Sequence, residues 1–385
     1  MNVIIVFFIL FGGKIGFLDI NFIVLFYVLI RQKNLVFKLG FFEKKILFFF
    51  ISLSVYSLII SIINGGVEIY WVLKFLKASI FLILLSITIN SVKINFFKLN
   101  NLVISAVFIH SLIIIATVIS SPFRDFVYGL TGYEHRSLLG LRSPGITISF
   151  NSTAIVHVIA LYVFLFKEHK FKRIKRVIVF GVIFISLLFL GRTIAFSGIG
   201  IIFLTGIIKR KKIIIGIGFF LIIFIPSTFE FINDNKNLEN FSPRVEILLK
   251  NYKKFVSPFM GDDSNVNILT YQQNTLGSHY YFSNSITTLI FGNSRSGHVG
   301  LTDYDKRGET DSDLGFINSI NANGIIVTLF LYLFYVFLIK MSYKSDIVLV
   351  LSLLTVILTF KETGFLTSHA TPLLFFYVFV IRKNK

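Results

Sequence analysis

Long apolar runs, separated by short gaps, constrain this chain more than any other feature. The runs are continuously apolar and do not alternate in polarity, so they predict membrane-spanning helices and exclude an outer-membrane β-barrel. The mean hydropathy of the 385 residues is +0.81 and 15% are charged, against about 25% in soluble domains. No cysteine is present, which excludes disulfides, cysteine-ligated metals and a thiol nucleophile. We therefore predict an all-α polytopic integral membrane protein.

About 12 transmembrane helices are predicted, or 11 if the two short runs at the N-terminus form one kinked or re-entrant pair around Gly12-Gly13-Lys14. About nine spans fall in 1–226 and about three in 316–385, with one large extracytoplasmic loop at 227–315 between them. The candidate spans are 2–11, 16–30, 45–63, 67–90, 101–120, 145–166, 177–190, 193–208, 213–229, 322–339, 347–360 and 369–381.

The interval 177–208 contains a single charged residue, Arg192, in 32 positions. One helix of that length would measure about 48 Å, which is too long for a single span. Both flanks are strongly basic and are predicted to be cytoplasmic, so the chain has to cross outward and return. The only polar turn available is Gly191-Arg192-Thr193, which places Arg192 at or just inside the external face.

Basic clusters occupy the short gaps and hold 22 of the 38 Lys and Arg residues. By the positive-inside rule these gaps are cytoplasmic, so the net charge of +19 is interpreted as a topology signal and not as nucleic-acid binding. The loop 227–315 differs, because it holds 11 acids and 8 basic residues and is rich in Asn, Ser, Thr, Gly and Tyr. Loops of about 89 residues are uncommon, and we expect this one to be functional. The basic clusters lie at 31–45, 93–98, 167–176, 209–212, 340–344 and 382–385.

Motifs for nucleotide or metal chemistry are missing from the sequence, which has no Walker loop, no dinucleotide fingerprint and no His-Glu-x-x-His. The acids between Asp303 and Asp313 are dense, but they do not fit the calcium-binding EF-hand pattern, so neither a metal site nor a cofactor is predicted. Gly198 and Gly200 are interpreted as helix-packing residues. Three of the seven histidines lie in or near spans and are interpreted as satisfied structural residues, namely His110, His157 and His369.

Arginines on the predicted external side are candidates for binding an anion. Arg142 opens a span at Arg142-Ser-Pro-Gly145, and Arg244 follows Pro243 in a segment whose apolar spacing predicts a helix on the membrane surface. Arginine at a membrane rim often only snorkels to headgroups. A guanidinium group, however, binds phosphate bidentately and keeps its charge. Arg142, Arg192 and Arg244 together make binding of an anionic lipid-linked substrate a competing interpretation.

Five segments resemble, in their order and spacing, motifs of the O-antigen polymerases and ligases. Two departures bear on this resemblance: Ser294 stands in place of the second Gly of the Phe-Gly-x-Gly turn, and the His-Asn pair that ligases carry at the span after the loop has no His here, which favours a polymerase. The segments are 142–151 with its Arg-x-x-Gly and Asn, 190–195 with Arg192 before small residues, 244–249 with its Arg-x-x-x-Leu, 289–294 with its Phe-Gly turn, and 311–325 with its Gly324.

The resemblance implies a Wzy-type O-antigen polymerase, a metal-independent glycosyltransferase without a cofactor in a bacterial inner membrane. Such an enzyme joins oligosaccharide repeat units carried on undecaprenyl pyrophosphate at the periplasmic face, and a chain-length regulator is an expected partner. Arg142, Arg192 and Arg244 are then the predicted pyrophosphate ligands. The acceptor hydroxyl needs a base, for which Asp313 or His298 is predicted. A polar, aromatic groove for the glycan is predicted at Tyr271, Tyr280, Tyr281 and Tyr304.

Two other functions stay open at this point. An O-antigen ligase is the closer enzymatic alternative. A lipid-linked oligosaccharide flippase or other transporter would also have about 12 spans, but its loops should be short and charged residues should lie in mid-span. Only Lys74 and Lys77 meet that second condition, and as a pair in one span they could equally snorkel to the interface.

Overall fold

The computed structural model is helical throughout the part of the chain that it describes, apart from one pair of two-residue strands. Eleven of the predicted spans overlap a helix, and the span 213–229 lies almost entirely outside the described residues. The described residues are 1–12, 14–15, 18–32, 35–36, 39–64, 69–92, 94–131, 143, 145–147, 149–212, 214, 216, 286–293, 315–343, 345–359 and 369–383.

The first two helices, α1 (Val3–Phe11) and α2 (Ile20–Arg31), are joined through strands β1 (Lys14–Ile15) and β2 (Leu18–Asp19), which pair antiparallel. The predicted break around Gly12-Gly13-Lys14 is therefore observed as a turn between two helices. The other helices are α3 (Phe41–Ile63), α4 (Tyr70–Val92), α5 (Phe96–Ile119), α6 (Ser121–Thr131), α7 (Phe150–Phe166), α8 (Arg173–Leu187), α9 (Arg192–Ile208), α10 (Ile286–Phe291), α11 (Gly315–Met341), α12 (Asp346–Thr359) and α13 (Ala370–Lys383).

Four helices in the described ranges are long and apolar enough to cross a membrane: α3, α4, α5 and residues Phe316–Met341 of α11. The exposure pattern differs from that of a soluble protein, because many large apolar side chains are exposed and polar side chains are buried beside the apolar core. Phe48 is 73% exposed and Leu329 is 58% exposed, whereas Thr153 and His157 are fully buried. Apolar side chains on the outside and polar side chains within are typical of a helical bundle surrounded by lipid.

Helix α7 forms the centre of the bundle. Every residue from Asn151 to Phe164 is buried, and α5, α8, α9 and α12 pack against it. A helix that is enclosed on all sides has no face to offer lipid. Gly198 of α9 lies directly on Val158, since a methyl group there would overlap the valine side chain, whereas Gly200 faces open space. The packing role predicted for the two glycines is thus correct for Gly198 and wrong for Gly200.

The basic clusters that the sequence assigns to the cytoplasm gather at one end of the bundle, here called the basic end. Asp346, which opens α12, accepts hydrogen bonds from Lys167 Nζ and Lys209 Nζ, both at 2.8 Å. These lysines follow α7 and α9, so one carboxylate holds three helix ends together. Arg382 of α13 donates to the carbonyl of Met341, at the end of α11, at 3.0 Å. The clusters therefore share one end, and the side of the membrane that it faces stays a prediction.

Two helix pairs run only part of the way from the basic end. Helices α1 and α2 have 9 and 12 residues, and α12 and α13 have 14 each. At 1.5 Å per residue these helices are about 14 to 21 Å long, shorter than a hydrocarbon core of about 30 Å. The N-terminal amine lies near Lys98, at the start of α5, and the Val36 N–H donates to Ser91 Oγ near the end of α4. Both ends of the α1–α2 hairpin are therefore at the basic end, and its turn lies inside the bundle.

Helix α11 is interrupted at Gly324, whose φ of 78° and ψ of 161° are not helical. The short helix α10 ends against this interruption, because the Asn293 N–H donates to the carbonyl of Asn321 at 2.9 Å. Gly292 has a φ of 81°, and a methyl group on it would overlap the backbone of α11. Tyr56 of α3 adds a hydrogen bond of 2.7 Å to the carbonyl of Phe291. The Phe-Gly turn and Gly324, two separate motifs in the sequence, thus form one backbone contact.

The chain between the predicted spans 101–120 and 145–166 is expected to be a loop, and this expectation is wrong in its first part, because α6 occupies Ser121–Thr131 directly after α5. This helix buries Val127 and Tyr128 and exposes Phe126 and Leu130. The short length and the mixture of apolar, polar and charged residues hid it from a search for spans. An amphipathic helix of this kind is typical of a membrane interface.

Replacing Gly324 by alanine should destabilise the protein by about 2 kcal/mol or more, because an L-residue is strained at this φ and ψ. The added methyl group would also overlap the carbonyl of Ile290. Gly200→Ala is the matched control, since its methyl group meets nothing and alanine favours a helix. The measurement is the melting temperature of the detergent-solubilised protein. Equal melting temperatures for both variants would contradict the assigned contact.

Asp346→Asn should lower the free energy of unfolding by on the order of 1 kcal/mol. The loss is small because the ion pairs of Asp346 with Lys167 and Lys209 are partly exposed and therefore screened. Burial alone would raise the pKa of Asp346, but the hydrogen bonds and charges of Lys167 and Lys209 outweigh it and lower the pKa to about 2, from an ordinary value of 3.8. A lowered pKa stabilises the fold above pH ~4, and this contribution is lost as the pH falls towards 2.

Melting temperatures of the wild type and of Asp346→Asn should therefore differ at pH 7 and converge between pH 4 and pH 2. Asp125→Asn is the control. Asp125 is 63% exposed and pairs only with its neighbour Arg124, at 3.5 Å, among the described residues. A difference between wild type and Asp346→Asn that stays constant down to pH 2 would show that the carboxylate charge contributes nothing.

Candidate functional site at a junction of helix N-termini

The N-termini of α7, α9 and α13 meet inside the bundle. The Gly191 N–H donates to the carbonyl of Phe150 at 3.4 Å, and a methyl group on Gly191 would overlap the side chain of Asn151. The Ala370 N–H donates to Ser152 Oγ at 3.3 Å. Only glycine allows α9 to approach α7 this closely. We call this meeting point the N-terminal junction and define it by Phe150–Ser152, Gly191–Arg192 and His369–Ala370.

The junction lies below the end of the bundle that is opposite the basic end. Helices α7 and α9 have 17 residues each, while α4 and α5 have 23 and 24. All four helices have one terminus at the basic end, marked by Asn90, Lys98, Lys167 and Lys209. The difference in length leaves the junction about 10 Å short of the opposite ends of α4 and α5.

The chain that follows Arg142 is fastened to the chain that precedes Arg192. The Ser143 N–H donates to the carbonyl of Phe189 at 3.1 Å. The hydroxyl groups of Ser143 and Thr117 are 2.5 Å apart, which joins this segment to the end of α5. Arg142 and Arg192, which the sequence predicts to bind the same anion, thus each lie close in the chain to residues of one hydrogen-bonded cluster.

Of the predicted site residues, only Arg192 has a described backbone position. It is the first residue of α9, and α8 ends at Leu187, so the predicted turn of the interval 177–208 is observed at 188–191. The other predicted site residues lie outside the described residues, namely Arg142, Arg244, Tyr271, Tyr280, Tyr281, His298, Tyr304 and Asp313.

Three converging N-termini give the junction a positive electrostatic character, because the first N–H groups of a helix have no intrahelical acceptor. At α7 the Ser152 N–H is taken by Ser149 Oγ at 3.1 Å. At α13 the Ala370 N–H is taken by Ser152, and Pro372 in the first turn has no N–H to donate. At α9 the N-cap Gly191 supplies no capping side chain. Helix N-termini in this state favour a negatively charged ligand.

Two imidazole groups form a chain beside the junction. His157 Nδ1 lies 3.0 Å from the carbonyl of Thr153, so it carries the proton and donates. His157 Nε2 is therefore the acceptor for His110 Nδ1, at 3.5 Å. The ring of His110 stacks on Phe11 at 4.0 Å, and its Nε2 faces Gly145, where a methyl group would lie only 2.7 Å away. His110 is thus enclosed by an aromatic ring and the backbone.

His369, the residue before α13, is fixed by the α1–α2 hairpin. Its Nδ1 donates to the carbonyl of Leu10 at 2.9 Å. Its Nε2 is buried and has no hydrogen-bond partner among the described residues, and the same holds for His110 Nε2. The interpretation of the three histidines as satisfied structural residues is therefore correct for His157 and wrong for the other two.

The turn of the α1–α2 hairpin is fixed to α4 by an ion pair between Asp19 and Lys77. Asp19 is the N-cap residue of α2, but its carboxylate makes no capping bond and contacts the lysine. Lys74, one turn away, lies over the Trp71 ring at 4.3 Å. The two lysines thus have separate partners, a carboxylate and an aromatic face, and neither depends on snorkelling to a headgroup.

Sequence reasoning missed the junction because its parts are far apart in the chain. Leu10, His110 and His369 meet only after folding. One local signal was available: the residues around the start of α7 are unusually polar for the beginning of a buried helix. This signal consists of Ser143, Thr147, Ser149, Asn151, Ser152 and Thr153.

Comparisons of the chain with protein-family models, with curated proteins and with solved structures find no match. Among the described residues, no group of three or more His, Asp or Glu side chains is placed to hold a metal ion.

Removing one partner of the Asp19–Lys77 pair should cost about 2 kcal/mol, because the other charge is left half-buried without its counter-ion. Lys77→Met and Asp19→Asn should each lower the melting temperature of the purified protein, while the double variant should lose less than the sum of the two. Lys74→Met serves as the control, with an expected loss of about 1 kcal/mol from its aromatic contact. Strict additivity of the Asp19 and Lys77 variants would mean that the two residues do not interact.

Proposed function

We propose that this protein polymerises undecaprenyl-pyrophosphate-linked oligosaccharide repeat units into O-antigen polysaccharide at the periplasmic face of a bacterial inner membrane. The observation that supports the proposal is the N-terminal junction, whose three helix N-termini converge beside Ser143 and Gly191. These residues are the sequence neighbours of Arg142 and Arg192. The resemblance to the O-antigen polymerases predicts both arginines as pyrophosphate ligands, and the junction supplies a favourable place for such an anion.

The reaction explains why such a site is needed. A hydroxyl group of one repeat unit attacks the anomeric carbon of the glycan held on the other lipid carrier, and the bond to undecaprenyl pyrophosphate breaks. Negative charge develops on the leaving pyrophosphate, so fixed positive dipoles and guanidinium groups lower the barrier. The junction lies about 10 Å below the ends of α4 and α5, inside an apolar bundle. Its electrostatic interactions are stronger there, because they act away from bulk water.

The lipid carrier and the glycan make different demands on the protein. The polyprenyl chain needs an apolar approach, and the exposed apolar faces of α3 and α11 are of the right character, for example at Phe48 and Leu329. The glycan needs polar and aromatic contacts, which we assign by the sequence argument to Tyr271, Tyr280, Tyr281 and Tyr304. Arg244 completes the proposed set of pyrophosphate ligands. For the base, Asp313 and His298 are the candidates that the sequence argument supplies.

Deletion of the gene in its host should leave lipopolysaccharide capped by a single repeat unit, because ligation continues when polymerisation fails. Electrophoresis of extracted lipopolysaccharide measures this outcome. Bare core together with polymer on undecaprenyl pyrophosphate would identify a ligase instead. Lipid-linked single units retained in the inner leaflet would identify a flippase.

Complementation with Arg142→Lys, Arg192→Lys and Arg244→Lys should give short chains close to single units, because lysine keeps the charge and loses the bidentate fork. Arg176→Lys is the matched control, since this exposed residue lies in the first turn of α8, at the basic end, where it contacts the Phe164 ring at 5.7 Å and is within electrostatic range of His169. Immunoblots of membranes check that each variant is present at the wild-type level. Full-length polymer from all three variants would remove the pyrophosphate assignment.

A further inference from the structure

His369 presents an unusual group for a buried position, namely an imidazole nitrogen that can only accept a hydrogen bond and has no donor in the described part of the chain. The side chain is 1% exposed, and its Nδ1–H is committed to the carbonyl of Leu10 at 2.9 Å. A neutral imidazole carries one proton, so the contact with a carbonyl fixes that proton on Nδ1 and leaves Nε2 with a bare lone pair. A buried acceptor without a donor is costly, and such atoms in native proteins call for an explanation.

The position of His369 in the chain indicates what this nitrogen would bind. His369 immediately precedes Ala370, whose N–H contacts Ser152 in the N-terminal junction. The junction has the positive character that favours an anion, whereas a bare nitrogen lone pair repels anionic oxygen. A ligand that suits both the junction and the bare nitrogen has a negatively charged part and a hydroxyl group beside it. A hydroxyl of a glycan positioned next to a pyrophosphate fits this description.

We propose that His369 is the general base of the transfer reaction, a role that rests on the proposed polymerase function and refines it. In this step the acceptor O–H bond breaks, and its proton moves to His369 Nε2. The oxygen forms a bond with the anomeric carbon, while the carbon–oxygen bond to the pyrophosphate breaks and the electron pair leaves with the pyrophosphate. The imidazolium then returns its proton to the departing pyrophosphate or to water, so that no other reactant is needed.

The surroundings of His369 suit a group that gains a proton and loses it again. Leu10 keeps the ring oriented throughout, as a backbone carbonyl accepts from Nδ1–H in both protonation states. Asp19 is within electrostatic range and stabilises the imidazolium, while its partner Lys77 opposes it. Among the described residues, His110 of α5 is also within electrostatic range of His369, and His157 of α7 contacts His110 in turn. The α1–α2 hairpin is therefore the element that orients the base.

His110 is less suited to the same role although its Nε2 also has no partner in the described part of the chain. That nitrogen faces Gly145, and the ring of His110 is covered by the stacked ring of Phe11. A hydroxyl group would have to displace backbone to reach it. His369 lies instead at the start of a helix, next to the first turn of α7.

The decisive variant is His369→Asn, because an asparagine amide can replace Nδ1–H in the bond to Leu10 but has no counterpart of Nε2. We expect it to fold, to melt near the wild-type temperature and to bind undecaprenyl-pyrophosphate-linked repeat units as the wild type does. Its single-turnover rate of chain extension should fall about 100-fold or more. The wild-type rate should decrease at low pH, where the base is protonated, and His369→Asn should lack that decrease.

His169→Asn is the control, since His169 lies at the basic end and contacts the carbonyl of Phe164 at 3.0 Å. Its rate and pH profile should match those of the wild type. A His369→Asn protein that extends chains at the wild-type rate and with the wild-type pH profile would overturn the assignment to His369. An Asp313→Asn protein that loses the low-pH decrease while His369→Asn keeps it would assign the base to Asp313.

The failure of this inference can be told apart from the failure of the proposed function. If purified wild-type protein in lipid vesicles extends the lipid-linked repeat unit, the polymerase function holds whatever the result for His369. If the wild type extends nothing and the deletion phenotype is that of a ligase or a flippase, the proposed function fails, and the assignment of His369 fails with it. If His369→Asn melts far below the wild type, His369→Gln is the second variant, since its amide is polar but cannot take up a proton. If His369 is the base, a His369→Gln protein that melts near the wild-type temperature should still lack the rate and its low-pH decrease; if the role of His369 is structural, the rate should return with the melting temperature.

Discussion

Backbone hydrogen bonding in the absence of water is the constraint on which the rest of this structure depends. Inside lipid, each N–H and C=O group has to find a partner within the protein, so the chain forms helices wherever it is apolar. Helix ends are the exception, because their terminal groups lack partners within the helix. A protein that places helix ends inside its bundle therefore concentrates polar character there. In this chain α7, α9 and α13 begin in the interior, and Ser149 and Ser152 supply part of the missing partners.

The positive charge at the basic end and at the N-terminal junction has different origins. At the basic end, Asp346 reduces the repulsion among cationic residues by holding Lys167 and Lys209. At the N-terminal junction the positive character arises from peptide dipoles, and the carboxylate of Asp19, which is within electrostatic range of His369, is paired with Lys77. The basic end thus carries its positive charge on lysine and arginine side chains, whereas at the junction buried peptide groups favour an anion.

The sequence predicted the helices well because lipid imposes a pattern that is local and strong. It also predicted the turn beside Arg192, from the length of the interval 177–208 and the charge of its flanks. It did not predict α6, whose amphipathic character is weaker than that of a span, nor the interruption at Gly324, which depends on contact with the remote helix α10. Two of the three intramembrane histidines were misinterpreted because hydrogen-bond satisfaction depends on partners such as Leu10, which is 359 positions away. The arginine, tyrosine and Asp313 assignments remain predictions.

The contact between Gly292 and Gly324 also bears on how such a chain can change over evolutionary time. Because α10 is held against α11 and by Tyr56 of α3, its position is set by contacts within the described part of the bundle. Insertions or deletions in the chain before Ile286 are therefore expected to leave the register of α11 and of the helices after it unchanged. Gly292 and Gly324, which allow the close backbone contact, are the positions least free to change.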